Sequence, residues 1–259
     1  MRPLAPACVL ILCGAILAGE PPAVRAQREP PVPKELLERV GFWAERYLKA
    51  PPEYMAKETR QDGRPGKKGI WEVRQVVMQF TARGAWQGRE MVSVNGGAAR
   101  TDSREETSGL LPERVSSPLE LISRLAMANQ ERMRYFFAPD TSDVPTDEVL
   151  IGYRPEEGGR LAEVDGKSVW GTGQAWVHPD DGHIVRIEEQ FEYKNTRYTT
   201  AVDFALDDVV KAWVPRQVVA RIFEKGRMHA ERIYTYTEFE LLTAARAADT
   251  RHPVNPQTR

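Results

Sequence analysis

The chain has little cysteine: Cys8 and Cys13 are its only two, and both lie near the N-terminus. If the N-terminal segment is removed on export, as argued below, the mature chain has no cysteine at all. Its absence excludes disulfide bonds, a thiol nucleophile and cysteine-ligated metal from the mature protein. Without disulfides a domain relies on its hydrophobic core, and residues 27–259 are long enough to build one.

Enzyme motifs and an excess of charge are also lacking. The nucleophile elbow Gly-x-Ser-x-Gly, the metalloprotease His-Glu-x-x-His and the dinucleotide-binding Gly-x-Gly-x-x-Gly do not occur. The formal net charge is −1 at pH 7, which gives no reason to expect nucleic acid as a partner. The sequence therefore indicates no cofactor and favours a non-enzymatic role.

What the chain does have is an N-terminal segment typical of a secretion signal. Arg2 precedes an apolar run over residues 8–18, and small residues at Val24 and Ala26 follow. The run is shorter than the roughly 20 residues of a spanning helix. We expect residues 1–26 to be a signal peptide, cleaved to give a periplasmic or extracellular protein whose mature chain has no transmembrane segment. The alternative is an uncleaved anchor.

The mature chain begins with two segments of different character. Residues 27–33 are polar and proline-rich, so we expect a flexible leader. Residues 34–49 carry apolar side chains at helical spacing, which predicts an amphipathic helix ended by Pro51 and Pro52: Leu36, Leu37, Val40, Trp43, Ala44, Tyr47 and Leu48. We expect residues 34–243 to form a single domain and residues 244–259 to be a disordered tail.

The middle of the chain mixes strands with one further helix. Residues 70–81 predict a strand with a bulge near Gln75, and residues 90–94 lead into the hairpin signal Asn95-Gly96. Ser117, Pro118 and Glu120 are typical of a capped helix start. That helix should run to about residue 131 with Leu121, Ile122, Leu125 and Ala128 buried. Residues 134–138 and 148–153 predict short strands.

The C-terminal half predicts an antiparallel meander. Apolar and polar residues alternate over segments 169–178, 183–193, 196–206, 214–224 and 228–241, with turn signals at 181–182, 194–195 and 225–226. A sheet with one apolar face needs a cover, and two amphipathic helices are available. The fold class is therefore α+β and mostly β: a curved antiparallel sheet, an open or half barrel, with an N-terminal helix and one inserted helix.

Two short motifs are candidate sites. Residues 165–168, Asp-Gly-Lys-Ser, resemble the end of a phosphate-binding loop, but Leu161 stands where the required glycine should be, so a turn is favoured. His178 and His183 flank a predicted hairpin end rich in aspartate. They are candidate metal ligands, although two exposed histidines beside a turn explain the pattern more simply, and no metal is expected.

Trp170 and Trp176 share one phase of a predicted strand. Aromatic side chains on that face can bind a ligand or a partner, or pack under a helix, and packing is favoured.

The layout resembles the half-barrel of periplasmic lipoprotein-carrier and related lipid-binding envelope proteins. Residues 173–179 (GQAWVHP), 182–187 (GHIVRI) and 213–215 (WVP) also resemble segments of uncharacterised exported bacterial proteins. The resemblance implies binding of an apolar ligand, such as a lipid or an acylated molecule.

The tentative ligand-binding face consists of the apolar residues of the two most regular strands: Val185, Ile187, Phe191, Tyr198, Val202 and Phe204. The leading hypothesis is an envelope protein that binds a lipid or other apolar ligand on a concave sheet face. One alternative is a protein–protein interaction module of an envelope assembly with an envelope protein as partner. Another is a hydrolase with a histidine and carboxylate site that no motif reveals.

Overall fold

The structure is a computed structural model and describes residues 29–67, 70–84, 86–98, 117–138, 144–157, 159–164 and 166–242. Within these residues the chain forms three helices: α1 (Lys34–Lys49), α2 (Pro118–Ser123) and α3 (Met127–Gln130). The same residues form thirteen strands. They are β1 (Tyr54–Pro65), β2 (Trp71–Arg83), β3 (Trp86–Val94), β4 (Gly97–Ala98), β5 (Met133–Phe137), β6 (Val149–Pro155), β7 (Ala162–Val164), β8 (Lys167–Val169), β9 (Gly171–Val177), β10 (Ile184–Tyr193), β11 (Thr196–Asp207), β12 (Ala212–Glu224) and β13 (Arg227–Leu241).

Eleven strands form one antiparallel sheet in the order β4-β3-β2-β1-β13-β12-β11-β10-β9-β6-β5. Its edge strands, β4 and β5, do not pair with each other, so the sheet is open. The remaining two, β7 and β8, form a separate hairpin. The predicted fold class, mostly β with an open antiparallel sheet and helices on one face, is confirmed.

The predicted turns of the meander are also present. Lys194 and Asn195 both have positive φ, as do Lys225 and Gly226, which is the geometry of tight hairpin turns whose twist matches the strands. Strands β10, β11, β12 and β13 pair antiparallel with their neighbours in chain order, as predicted, with register shifts between Asp203 and Phe204 and between Ile222 and Phe223.

The predicted bulge in β2 lies two residues further along the chain than expected. Gln75 pairs regularly with Gln61 in β1, and the register shift against β3 falls between Val77 and Met78. Gln75 stays in register because its backbone is held by Asn95, in the turn between β3 and β4. The Gln75 amide donates to Asn95 Oδ1 at 2.9 Å, and the Asn95 amide donates to the Gln75 carbonyl at 2.8 Å.

One face of the sheet carries α1 and α2, and we call it the inner face. Leu36, Val40, Trp43 and Ala44 of α1 are buried in a core with inward residues of the sheet, as the helical stripe predicted. Glycine allows α1 to approach α3, because a Cβ on Gly41 would collide with Met127 and Gln130. This helical layer covers β9 to β11 more fully than it covers β1 to β3, and the difference leaves a cavity.

The inserted helix is shorter than predicted. Ser117 Oγ does accept from the Glu120 amide at 3.2 Å, and Leu121, Ile122 and Leu125 are fully buried. However, α2 ends at Ser123, and Ala128, expected to be buried, is exposed. The helix ends because side chains bind the carbonyls that its next turn would use: the Tyr135 hydroxyl donates to the Arg124 carbonyl at 2.6 Å, and Asn129 Nδ2 donates to that of Ser123 at 2.8 Å.

Residues 29–33, within the predicted leader, lie along the edge strand β5. Pro31 forms a bridge with Phe136, and the Phe137 amide donates to the Pro30 carbonyl at 2.9 Å. Arg154 donates two hydrogen bonds to the Glu29 carboxylate, at 2.8 and 2.9 Å. This segment therefore covers backbone groups that an edge strand would otherwise expose.

Two predicted segments lie wholly outside the described residues: the signal peptide, residues 1–26, and the tail, residues 244–259. Among the described helices, none is both long enough and apolar enough to cross a membrane.

Candidate functional site

A cavity of about 410 Å³ lies on the inner face of the sheet, beyond the C-terminal end of α1. Its floor is formed by β1, β2, β3, β12 and β13, and its rim by Tyr47, Pro51 and the first residues of α2. The prolines that end α1 therefore also turn the chain away, which leaves this part of the inner face without a helical cover.

The walls of the cavity are mainly apolar and aromatic. Phe80 packs against Tyr236 and Tyr54, with ring centroids 5.2 and 5.9 Å apart. Met78 and Met91 lie opposite each other on β2 and β3 and also line the cavity. Methionine adapts to ligands of varied shape because its side chain is unbranched and polarisable. A volume of this size falls within the range of small-molecule sites.

The cavity floor also contains an ion pair between a buried carboxylate and a more exposed arginine. Glu58 of β1 is fully buried, and its two carboxylate oxygens accept hydrogen bonds from Arg89 Nε at 2.9 and 3.0 Å. Burial alone would lower the pKa of Arg89, but the charge and hydrogen bond of Glu58 outweigh it and raise that pKa. Burial, followed by the charge of Glu58, raises the pKa of Tyr236 well above its ordinary value. The Arg89 guanidinium therefore stays charged beside the buried carboxylate.

A second charged group lies four residues further along the same strand. Asp62 is shared by two buried arginines: Arg232 Nε donates to Asp62 Oδ1, and Arg60 Nε lies 3.0 Å from Asp62 Oδ2. The second contact is an ion pair without hydrogen-bond geometry. Among the described residues, Nε and Nη2 of Arg60 have no hydrogen-bond partner, although the residue is only 5% exposed.

Together these groups give the cavity floor a positive electrostatic character. Arg60, Arg89 and Arg232 all line the cavity, whereas Glu58 and Asp62 are the two carboxylates paired with them. Three cations facing two anions leave one positive charge in excess. Inside a protein such an excess acts more strongly than on the surface, because the medium screens it less.

Another buried carboxylate lies further along the inner face. Glu189 of β10 is 3% exposed, accepts from the Tyr153 hydroxyl at 3.0 Å and from Arg124 Nε at 3.2 Å. Burial raises the pKa of Glu189 to about 7, against the opposing effects of Arg124 and Tyr153. Arg124 directly follows α2, whose first residues form part of the cavity rim. The contact between Arg124 and Glu189 therefore links α2 to the sheet.

The structure brings the two predicted metal-ligand candidates together. His178, Asp181 and His183 place one ligand atom each within 4.8 Å of one another. Asp181 Oδ1 lies 2.6 Å from His183 Nδ1, the imidazoles of His178 and His183 stack at 4.9 Å, and Trp213 stacks on His183 at 4.2 Å. Burial alone would raise the pKa of Asp181, but its hydrogen bonds with His183 lower it. Stacking and hydrogen bonding give this hairpin end a local structural role, and the expectation that it holds no metal stays a prediction.

The six residues of the predicted ligand face lie elsewhere on the sheet from the cavity. Ile187, Val202 and Phe204 are buried in the core with α1. Phe191 and Tyr198 stack on each other at 5.1 Å and are half-buried, and Val185 lies at the bulge between Ile184 and Arg186. None of the six lines the cavity. Ligand contact at these residues stays a prediction.

Other motifs have local structural roles. Gly166 has φ of 71° in the turn between β7 and β8, which agrees with a turn rather than a phosphate-binding loop. Trp176 is half-buried with Arg186 5.5 Å above its ring, whereas Trp170 is 51% exposed. A depression of about 450 Å³ on the outer face includes Gln190, Arg197, Thr199 and Arg221, and its polar lining does not suit an apolar ligand.

Solved structures with a similar course of the chain are known. A LolA superfamily protein from Nitrosomonas europaea matches with a TM-score of 0.36 and 10% identity, over 81% of this chain and 93% of that one. A DUF1329 family protein from Desulfovibrio piger matches with a TM-score of 0.40 and 10% identity, over 84% and 98%. An outer membrane lipoprotein-sorting protein domain from Vibrio parahaemolyticus matches with a TM-score of 0.37 and 10% identity. The match covers 83% of this chain and 97% of that one.

These matches agree with the resemblance inferred from the sequence layout. At such identities and TM-scores, they transfer no ligand and no site residue to this chain. No protein-family model matches the chain, and no curated protein sequence does.

The sequence did not identify Arg60, Arg89 or Arg232 as site residues, although a signal for Arg60 was present. The inward positions of β1 read Tyr54, Ala56, Glu58, Arg60 and Asp62. Charged residues that continue the apolar phase of a strand are candidates for a buried polar site, since a solvated face would carry them on the opposite phase.

Proposed function

We propose that this protein is an exported, non-enzymatic envelope protein that binds a lipid or another apolar ligand in the inner-face cavity. The observation that carries the proposal is the cavity itself. Its aromatic and methionine walls lie on a part of the sheet that the helices leave uncovered. Apolar surface in a pre-formed, partly enclosed cavity binds ligands mainly by removing their apolar surface from water.

Export supports a carrier role for such a site. An apolar ligand that crosses an aqueous compartment needs a protein that shields it from water, and the signal-like N-terminus indicates that compartment. The proposed ligand position differs from the one that the alternating strands predicted, because α1 already covers Ile187, Val202 and Phe204.

The test uses the purified protein and N-phenyl-1-naphthylamine, an uncharged probe whose fluorescence rises in apolar surroundings. We expect saturable binding that acyl-chain compounds reverse. The variant Ala82→Phe places a ring at a buried position that lines the cavity and should reduce probe affinity at least tenfold. The absence of saturable binding by the wild-type protein would overturn the proposal.

A matched control separates loss of the cavity from loss of the fold. Ala205→Phe introduces the same ring into β11, at a half-buried position that does not line the cavity, and should keep wild-type probe affinity. Circular dichroism of both variants checks folding. If Ala205→Phe and Ala82→Phe weaken binding equally, the probe does not occupy this cavity and the proposed site is wrong.

A further inference from the structure

Arg60 is the least explained buried group in the described part of the chain. Its side chain is 6% exposed and lines the cavity, yet two of its nitrogens lack a hydrogen-bond partner among the described residues. Buried polar groups in folded proteins are nearly always hydrogen-bonded. Among the residues that the structure describes, the charge of Arg60 is met only by its ion pair with Asp62, which Asp62 also makes with Arg232. The presence of Arg60 on the floor of a cavity points to a contact that a ligand completes.

We propose that the cavity takes an amphiphile with an anionic head group, and that Arg60 contacts the oxyanion of that head group. This inference rests on the proposed function and narrows its ligand class from apolar compounds to carboxylated or phosphorylated acyl chains. A guanidinium presents a planar set of N–H donors that fits the paired oxygens of a carboxylate or phosphate.

The neighbouring charges favour an anion over a neutral polar head group. Asp62 is shared by Arg232 and Arg60, and the Glu58 carboxylate is held by Arg89 through both of its oxygens. Three arginines facing two carboxylates leave one positive charge in excess, and Arg60 Nε and Nη2 make no hydrogen bond among the described residues. A cationic ligand would meet three arginines, and a neutral ligand would leave that charge uncompensated in an environment that screens it poorly.

The same floor offers a place for the chain of the amphiphile. Val76 and Tyr234 flank Arg60 as its register partners on β2 and β13. Met78 and Tyr236 lie on the same face beside Glu58, the next inward residue of β1. Phe80 lies beside Ala56, the inward residue after that. The head group at Arg60 and a chain running over these residues toward Tyr47 and Pro51 would both remain within the cavity.

The experiment compares dodecanoate with dodecanol at pH 8, measured by displacement of N-phenyl-1-naphthylamine. The two compounds share one chain and differ in head-group charge. We expect dodecanoate to bind at least tenfold more tightly to the wild-type protein. Arg60→Gln should remove that preference while leaving dodecanol affinity within about twofold, because the apolar walls are unchanged. The control Arg64→Gln removes a more exposed arginine of the same strand that does not line the cavity and should keep the preference.

Several results would overturn the inference. Equal binding of the two compounds by the wild-type protein would do so while leaving the proposed function intact, and binding of neither would contradict the proposed function itself. Inorganic phosphate titrated alone should not displace the probe; displacement by phosphate as effective as that by dodecanoate would show a free-anion site. If Arg60→Gln fails to fold, Arg60→Lys keeps the charge without the planar fork and should lower the preference several-fold, and an unchanged preference would contradict a role for Arg60.

Discussion

The Tyr153 hydroxyl donates a 3.0 Å hydrogen bond to Glu189 Oε1, and this contact joins two strands separated by β9. Gly173 of β9 pairs with both residues and lies between them. A Cβ at Gly173 would overlap the ring of Tyr153. The glycine thus lets the tyrosine ring lie flat over the sheet and reach the buried carboxylate, which also binds Arg124 at the end of α2.

Glu189 should make the stability of the protein depend on pH. Burial raises the pKa of its carboxyl group from 4.5 to about 7 in the folded state. Between these values the folded state binds more protons than the unfolded state, so stability falls as pH rises through this window. The expected loss is about 3 kcal/mol at most between pH 4.5 and 8. Urea unfolding of wild type and Glu189→Gln as a function of pH measures it.

The variant should show a flatter profile than wild type and should be the more stable of the two at pH 8. Glu188→Gln is the control, since it removes a carboxylate that pairs with Arg186 on the same strand and faces away from the core. It should keep the wild-type slope. A Glu189→Gln profile parallel to that of wild type would contradict the raised pKa.

Gly173→Ala should destabilise the protein by about 1 to 3 kcal/mol, because the added methyl group displaces the ring of Tyr153. Gly97→Ala is the matched control, since a Cβ there meets nothing closer than the Val94 carbonyl at 3.5 Å. Thermal unfolding compares the two variants. Equal melting temperatures would show that the tyrosine ring does not need the space above Gly173.

The Glu58–Arg89 pair should be strongly coupled. Arg89→Met leaves a fully buried carboxylate without its cation and should cost about 3 kcal/mol. The double variant Glu58→Met/Arg89→Met should cost less than the sum of the two single variants, because neither charge then remains unpaired. Urea unfolding of the four proteins completes the cycle. Additive losses would mean that the two side chains do not interact.

The N-terminal segment should protect one amide of the edge strand. The Phe137 amide donates to the Pro30 carbonyl, so hydrogen exchange at Phe137 should be slow in the intact protein. Removal of residues 27–33 should accelerate it at least tenfold. The Ala138 amide, which donates to Leu150, is the internal control and should change little. Fast exchange at Phe137 in the intact protein would favour a freely flexible leader.

The sequence predicted the meander well because each of its strands carries a local signal. Apolar and polar residues alternate over β10 and β11, and turn residues such as Asn195 and Gly226 separate the strands. Both signals can be read from a short stretch of sequence. Helix α1 was predicted for the same reason. The end of α2 was not, since it depends on Tyr135 and Asn129, which bind its last carbonyls from outside the helix.

The position of the cavity could not be read from the chain. Alternation shows that Ile187 and Phe80 both face inward, but it does not show which half of the inner face α1 covers. That choice is made by contacts such as those of Gly41 with α3 and of the Arg39 side chain with the Pro179 carbonyl, at 2.9 Å. The buried Arg60 and Arg232 were missed because a charged residue usually indicates a solvated position.

Methionine-methyl NMR tests the central claim most directly, because Met78 and Met91 line the cavity whereas Met228 does not. Spectra of the ¹³C-methyl-labelled protein would be recorded with increasing dodecanoate. Our account predicts saturable shifts of the Met78 and Met91 resonances, with an unchanged resonance from Met228, and loss of these shifts in Ala82→Phe. Saturable shifts confined to other methionines, or no shifts at all, would contradict ligand binding in this cavity.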